Sequence, residues 1–229
     1  MNSARAVAAA EDLLRSHREV TAPTTFGLLG AEWELLPGVY APALTSSAAL
    51  YAEWLPYPVG GSFCEVGCGT GYLAVLAAER GCARVVALDV SPAAVENTRR
   101  NAQLHGVAEG VEVAVGDLFA PLTAEDRFDV VFWNSAFIDG VPESSPADND
   151  LASAFFDDGY RTHRRFLADA GAHLAPGGLL LLGFCDLGNR SLLESVAAQD
   201  GWRPRTVRAC TAPAPGGQLR FELIALERV

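Results

Sequence analysis

An α/β fold with a mostly parallel sheet and helices on both faces is what three features of this 229-residue chain predict. From Gly61 onward, strand-length apolar runs alternate with helix-length amphipathic ones, the pattern of parallel strands joined by crossover helices. The first of these strands ends in Glu65-Val66-Gly67-Cys68-Gly69-Thr70-Gly71 and runs directly into the helix formers Tyr72 to Arg80. That reads as strand, tight glycine turn and helix. Near the C-terminus, two strand-like runs flank Pro213-Ala214-Pro215-Gly216-Gly217, which predicts a closing antiparallel hairpin and seven strands in all.

In chain order, residues 3 to 19 predict a helix with Val7, Leu13 and Leu14 among its apolar positions and Ser3 as its cap. It is expected to cover the binding site or to make a contact in a homodimer. Thr21-Ala22-Pro23-Thr24-Thr25 ends it. Phe26 to Leu36 predict a short hairpin about Gly30, Pro37-Gly38 turn the chain, and a helix from Ala48 to Leu55 stops at Pro56 and Pro58. Residues 1–60 are therefore read as an N-terminal helix and hairpin extension, a lid over the site, and 61–229 as the core. Within the core, strands are expected at Ser62 to Val66, Arg84 to Asp89, Val111 to Val115, Phe128 to Trp133, Gly178 to Phe184, Arg205 to Ala209 and Leu219 to Glu227. Helices are expected at Gly71 to Arg80, Pro92 to Leu104, Ala154 to His173 and Ser191 to Asp200.

Composition narrows the class. Hydrophobic residues make up 50% and charged residues 20%, which suits a chain that buries a core. No apolar run approaches the roughly 20 residues of a membrane span. The first residues do not read as a secretory signal, and five cysteines without a C-x-x-C pair suggest reduced thiols, so a cytoplasmic setting without membrane partners is expected. The cysteines have no ligand spacing, and no metal site is expected. Net charge is −11 and all 17 basic residues are arginine. Such a surface repels phosphate backbones, which argues against a nucleic-acid partner; Arg161, Arg164 and Arg165 read as a solvated helix face.

Gly67, Gly69 and Gly71 permit positive φ and leave room for a ligand against the backbone, beside a helix N-terminus that favours anions. A dinucleotide site would want G-x-G-x-x-G, with its third glycine where Tyr72 stands. The spacing here is G-x-G-x-G with an acid two residues ahead. It resembles motif I of the class I S-adenosylmethionine (SAM) methyltransferases, a Rossmann-like fold whose sheet closes with an antiparallel hairpin. The resemblance implies SAM as cofactor, with Glu65 toward its amino group and the turn, Cys68 included, around it. Asp89 at the next strand end is expected to accept from ribose hydroxyls. Asp117 is expected to accept from the adenine amino group, with Leu118 packed on the ring. Glu65, Asp89 and Asp117 thus fall at the carboxyl ends of three successive strands, where open α/β sheets bind ligands.

The strand Phe128 to Trp133 runs into Asn134-Ser135-Ala136-Phe137. The stretch resembles the release-factor glutamine N-methyltransferases, which carry N-P-P-Y or a close variant here. That resemblance implies that Asn134 orients the acceptor nitrogen, and also borders the cofactor, while Phe137 packs on the acceptor's planar group. Ser135 and Ala136 depart from the pattern. The likeness extends over roughly residues 26 to 229. Where that family has an acid followed by Thr, this chain has Thr45 and Ser46, which places Ser46 near the cofactor's carboxylate. Tyr40, Ser135 and Asp139 are assigned to the acceptor side. Trp33 and Trp133 are further candidates for its wall, and Glu143, Asp148 and Asp150 for an acidic loop facing an amine. His17, His105 and His173 read as surface or helix-end residues, and His163 as structural.

An Asn oxygen that accepts an N–H bond aims the nitrogen lone pair without a strong base, whereas an alcohol or phenol acceptor needs one. The sequence therefore points to N-methylation of a small molecule or peptide side chain, and the altered tetrapeptide points toward specialised metabolism. An O-methyltransferase and a SAM-binding protein without methyl transfer are the alternatives.

Overall fold

A seven-stranded sheet forms the centre of the molecule in a computed structural model that describes residues 3–142, 150–214 and 217–229. Ahead of it come helix α1 (Ser3–Arg18), a two-stranded hairpin of β1 (Thr24–Leu28) and β2 (Ala31–Leu35), and helix α2 (Ser47–Trp54). The core then alternates β3 (Ser62–Val66), α3 (Tyr72–Glu79), β4 (Arg84–Asp89), α4 (Pro92–Leu104), β5 (Val111–Val115) and β6 (Phe128–Asn134). It continues through α5 (Asp150–Ser153), α6 (Arg161–Ala170), β7 (Leu174–Cys185), α7 (Arg190–Gln199), β8 (Trp202–Ala214) and β9 (Gly217–Arg228). The strand order is β5-β4-β3-β6-β7-β9-β8, parallel from β5 through β7, with β9 antiparallel to both β7 and β8. The order reverses direction beside β3, and the site described below opens at the carboxyl ends of β3, β4 and β6, the switch point of an open α/β sheet.

Burial on both faces explains why β3, β4 and β6 read as continuous apolar runs. One face packs Phe63, Val85, Val130 and Phe132 against α2 and α3, the other Cys64, Val86, Val131 and Trp133 against α6 and α7. The β1–β2 turn is Leu29-Gly30, both at positive φ (55° and 78°), as a two-residue hairpin of this twist requires. The five cysteines are free thiols, four of them buried. Among the described residues no helix is long and apolar enough to cross a membrane, and no cluster of three potential metal ligands occurs.

Several boundaries differ from expectation. The helix expected from Ala154 begins only at Arg161. Gly159 and Tyr160 take left-handed φ values of 61° and 51°, and the Asp157 carboxylate accepts from the Thr162 and His163 amides to start α6. The last two strands are longer than expected, at 13 and 12 residues. Pro213 is expected in the loop that joins them, yet β8 runs on to Ala214; it is an edge strand, where the missing N–H of Pro204 and Pro213 is tolerated. β7 starts at Leu174, four residues ahead of the expected Gly178. The side chains of Ser3 and Asp150, and residues Glu143, Asp148, Pro215 and Gly216, lie outside the described set.

The N-terminal extension is tied to the core through α4. Asn97 and Asn101, one helical turn apart and fully buried, satisfy the backbone of β2: Asn97 accepts from Leu36 and donates to Glu34, while Asn101 accepts from Glu34 and donates to the Glu34 and Thr70 carbonyls. The same helix face supplies Thr98, whose hydroxyl donates to Gly69 O at 3.2 Å and lies 3.2 Å from Cys68 Sγ. One helix thus holds both the hairpin and the glycine turn.

Candidate functional site

A cavity of about 370 Å³ opens where β3, β4 and β6 end. The residues lining it include Tyr40, Ser46, Glu65, Gly67, Cys68, Gly69, Asp89, Asp117, Leu118, Asn134, Ser135 and Phe137. Three described sequence candidates are not on its surface. Gly71 (φ 76°) packs against Thr98, so closely that a Cβ would collide with that side chain. Asp139 lies on the wall of a separate cavity, its two oxygens accepting from the Gly159 amide and Asn189 Nδ2 at 2.9 Å each. It is a strut between loops and not a partner for an acceptor. Trp33 likewise lies in the core: it is 1% exposed, donates its indole N–H to Leu28 O and stacks on His105.

At the glycine turn, Gly67 and Gly69 have φ of 67° and 56°, and space for a Cβ at Gly69 is open. The turn is rigid because its own amides are used: Cys68 N donates to Leu88 O and Gly69 N to Asp89 Oδ2. Asp89 therefore does two things, bracing the turn through Gly69 and Ser91 N–H while bordering the cavity. Glu65 is 2% exposed and accepts from Ala74 N in the first turn of α3. Burial pushes its carboxyl well above the usual range, against the Ala74 hydrogen bond that lowers it. Nearby, Thr70 Oγ1 and Tyr72 Oη are buried without a hydrogen-bond partner among the described residues.

This donor set suits SAM. A buried acid and two unpartnered hydroxyls lie at one end, where an amino-acid moiety carries both a cation and a carboxylate. A strand-end acid lies in the middle, and Leu118 and Val90 provide apolar surface at the other end beside Asp117. Leu118 holds φ at 51°, a conformation a branched side chain seldom takes. Asp117 is exposed and ion-paired with Arg165, so one member of the expected solvated arginine face reaches the cavity rim. Ser46 lines the cavity, but its hydroxyl donates to Pro213 O at 2.6 Å. The hydroxyls that meet one another are those of Tyr40, Thr45 and Ser47, at 2.7 and 3.0 Å.

Asn134 is the last residue of β6, opposite Gly183 of β7. Its Oδ1 occupies the space a side chain at 183 would need. Ser135, assigned to substrate by its position, is 2% exposed and donates to Gly183 O at 2.9 Å, so its hydroxyl anchors the turn. Phe137 touches three apolar clusters and meets Phe184 edge-on at 5.9 Å. On the cavity wall, Trp133 meets the His163 ring at a tilt, with ring centroids 4.7 Å apart. Burial lowers the His163 pKa and its Nδ1–H donates to Asp157 Oδ2 at 2.7 Å, an arrangement that sets the start of α6. Residues from α1, namely Ala9, Ala10 and Leu13, complete the cavity wall. His17, expected at the surface, is fully buried against Tyr40 and Phe155. Sequence periodicity showed that α1 was amphipathic, but nothing in it showed which surface the apolar stripe would cover.

A family model described as a methyltransferase domain matches residues 59–189. The ribosomal protein uL3 glutamine methyltransferase of Bradyrhizobium diazoefficiens is 39% identical over 133 residues, covering 55% of this chain and 40% of that protein. The release factor glutamine methyltransferase of Cereibacter sphaeroides is 38% identical over 125 residues, 52% of this chain and 44% of that protein. The chain thus spans under half the length of these relatives. Among solved structures, a 16S rRNA methyltransferase of T. thermophilus in complex with AdoMet and guanosine superposes with a TM-score of 0.59 at 21% identity, over 90% of this chain and 50% of that one. That likeness is one of fold.

Proposed function

The chain belongs to the methyltransferase domain family, and on that premise we propose that it moves a methyl group from SAM to a nitrogen, that of a carboxamide or amine carried by a small molecule or a peptide side chain. Bound SAM supplies an electrophilic methyl group on a sulfonium. Glu65 and the hydroxyls near it hold the amino-acid end, Asp89 the ribose, and Asp117 with Leu118 the adenine. The chain's contribution to the chemistry is alignment, which is worth up to about 7 to 11 kcal/mol when near-attack geometry is well held.

The observation that carries this reading is Asn134. Its carboxamide lies at the cavity beside Phe137, with no hydrogen bond to another side chain among the described residues. There its oxygen accepts from the acceptor N–H and turns the nitrogen lone pair toward the methyl group, while Phe137 packs on a planar amide. SAM bound there would supply the methyl carbon to that nitrogen and leave as S-adenosylhomocysteine, and the acceptor's proton would pass to solvent. The two relatives described above are glutamine methyltransferases, and the glutamine side chain is such an amide.

The charge of the wall disfavours the O-methyl alternative. No Arg or His lines the cavity among the described residues, so a carboxylate acceptor has no cation to meet. Tyr40 and Tyr72, the phenols on the wall, are held neutral by burial, which raises both pKa values, and neither serves as a base for an alcohol. The test is transfer of labelled methyl to a panel of amides, amines, carboxylates and phenols by wild type and Asn134→Ala. Methylated amide or amine from wild type and a loss of at least 100-fold in the variant support the reading. Methylation of carboxylates or phenols that survives the substitution sinks it.

A further inference from the structure

Building on the N-methyl transfer reading, we infer that the acceptor is a small, neutral carboxamide with an apolar body, enclosed by α1, and that Ala9 and Leu13 set its size. The cavity is chemically divided. Its acids, Glu65, Asp89 and Asp117, all lie on the strand ends assigned to the cofactor. Beyond Asn134 the described wall carries no charged side chain: it is built from Ala9, Leu13, Tyr40, Phe137, Phe155 and Phe221, with Tyr40 neutral and its hydroxyl committed to Thr45. Of the four acids that the sequence offered for an amine, Asp139 is turned away into the Gly159 and Asn189 contacts, and Glu143, Asp148 and the Asp150 side chain lie outside the described residues. A cation therefore finds no described counter-charge there and an anion finds none either, whereas an apolar group is stabilised by leaving water.

Enclosure comes from α1. Ala6, Ala10 and Leu14 are buried with Leu151, Phe155 and Phe156 in one apolar cluster. His17 is wedged between Tyr40 and Phe155, at ring distances of 4.9 and 5.1 Å, with its Nδ1–H on Leu13 O at 2.7 Å. The backbone of Gly140, past Phe137, comes so near α1 that a Cβ there would lie 3.1 Å from Val7 Cγ2. A glutamine inside a protein loop enters a site with chain running away on both sides and needs an open groove. With α1 seated on the acceptor end, a free-ended molecule fits and a continuous chain does not. α1 also lies outside residues 59–189, the part shared with the family model.

Saturation-transfer NMR on the full chain, with S-adenosylhomocysteine present, reads this directly, using benzamide and a glutamine-containing tripeptide as probes. The expected result is saturation of benzamide, with the tripeptide at least 10-fold weaker. Ala9→Trp fills the pocket and lowers benzamide affinity at least 10-fold while S-adenosylhomocysteine binds within two-fold of wild type. Leu13→Ala widens the pocket and strengthens binding of 2-naphthamide relative to benzamide, which keeps the test decisive if Ala9→Trp unseats the helix. Equal binding of tripeptide and benzamide, or a benzamide signal indifferent to both substitutions, overturns the inference. Binding of S-adenosylhomocysteine without benzamide overturns it while leaving the methyl-transfer reading in place. No binding of S-adenosylhomocysteine to wild type overturns that reading and this inference with it.

Discussion

Asn134 and Gly183 face each other across β6 and β7, and the missing side chain at 183 is what gives the Asn134 carboxamide its position. A Cβ at 183 would lie 2.7 Å from Asn134 Oδ1 and 2.8 Å from Tyr51 Cζ. Tyr51 cannot yield, since it is fully buried and its hydroxyl donates to Phe184 O. Gly183→Ala is therefore expected to displace the carboxamide by the better part of an ångström, a misplacement able to cost about 100-fold in rate. Single-turnover methyl transfer should fall by that order while S-adenosylhomocysteine affinity, measured by calorimetry, stays within two-fold.

A second prediction concerns the joint between the N-terminal extension and the glycine turn. Asn101→Ala strips the side-chain partner from the half-buried Glu34 amide, the Asn101 bond from the buried Thr70 carbonyl, and one of two side-chain donors from the Glu34 carbonyl. A buried polar group left unpaired costs about 1–3 kcal/mol. For a domain of this size each kcal/mol lowers Tm by about 2–4 °C. A calorimetric scan should show a drop of at least about 4 °C for Asn101→Ala and a comparable one for Asn97→Ala; unchanged melting in both would mean that the hairpin is not held by this pair.

Much of this was legible in the residues. The strand-turn-helix around Gly67 was readable because an apolar run, an acid, three glycines and a run of helix formers occur together. The parallel strands were readable because burial on both faces demands continuous apolar runs. Hidden from a one-dimensional reading were the contacts that join distant segments. Gly183 looks like any glycine in a strand until β7 is placed beside β6. Asn97 and Asn101 look like ordinary helix polar residues until β2 lies on them. Asp139 follows Phe137 by two residues and so read as part of the acceptor site, yet Gly159 and Asn189 draw its carboxylate the other way. The late start of α6 was hidden for a similar reason, because the Asp157 cap works only once Gly159 and Tyr160 turn left-handed.

Acid should loosen α1. Burial lowers the His17 pKa below its ordinary value of 6.5, against the Leu13 and Ala41 carbonyls that raise it. A depressed folded-state pKa favours the neutral ring, so the stabilisation is complete above the unfolded value and is lost as pH falls through the folded one. Tyr40, the titratable group against the ring, stays neutral throughout because burial raises its pKa. Limited proteolysis should cut within residues 3–18 faster at pH 5 than at pH 7.5, and His17→Phe should remove much of that difference.

Cofactor affinity should rise with pH. The free protein keeps Glu65 protonated well above the usual carboxylate range, because burial penalises the charge. Pairing with an ammonium requires the carboxylate, so binding expels a proton, and affinity climbs by up to tenfold per pH unit until the free-state pKa is passed. Titrations in buffers of different ionisation enthalpy would reveal the released proton. Glu65→Gln should bind more weakly and lose the pH dependence.

The central claim, that the cavity at the ends of β3, β4 and β6 is a SAM site, is tested most directly by calorimetric titration of the purified chain with SAM and S-adenosylhomocysteine, beside Asp89→Asn. The expected result is 1:1 binding with micromolar Kd, about −8 kcal/mol, weakened at least 10-fold in a variant that keeps its melting temperature within a few degrees. No saturable heat with either ligand, or equal affinity in the variant, would contradict it.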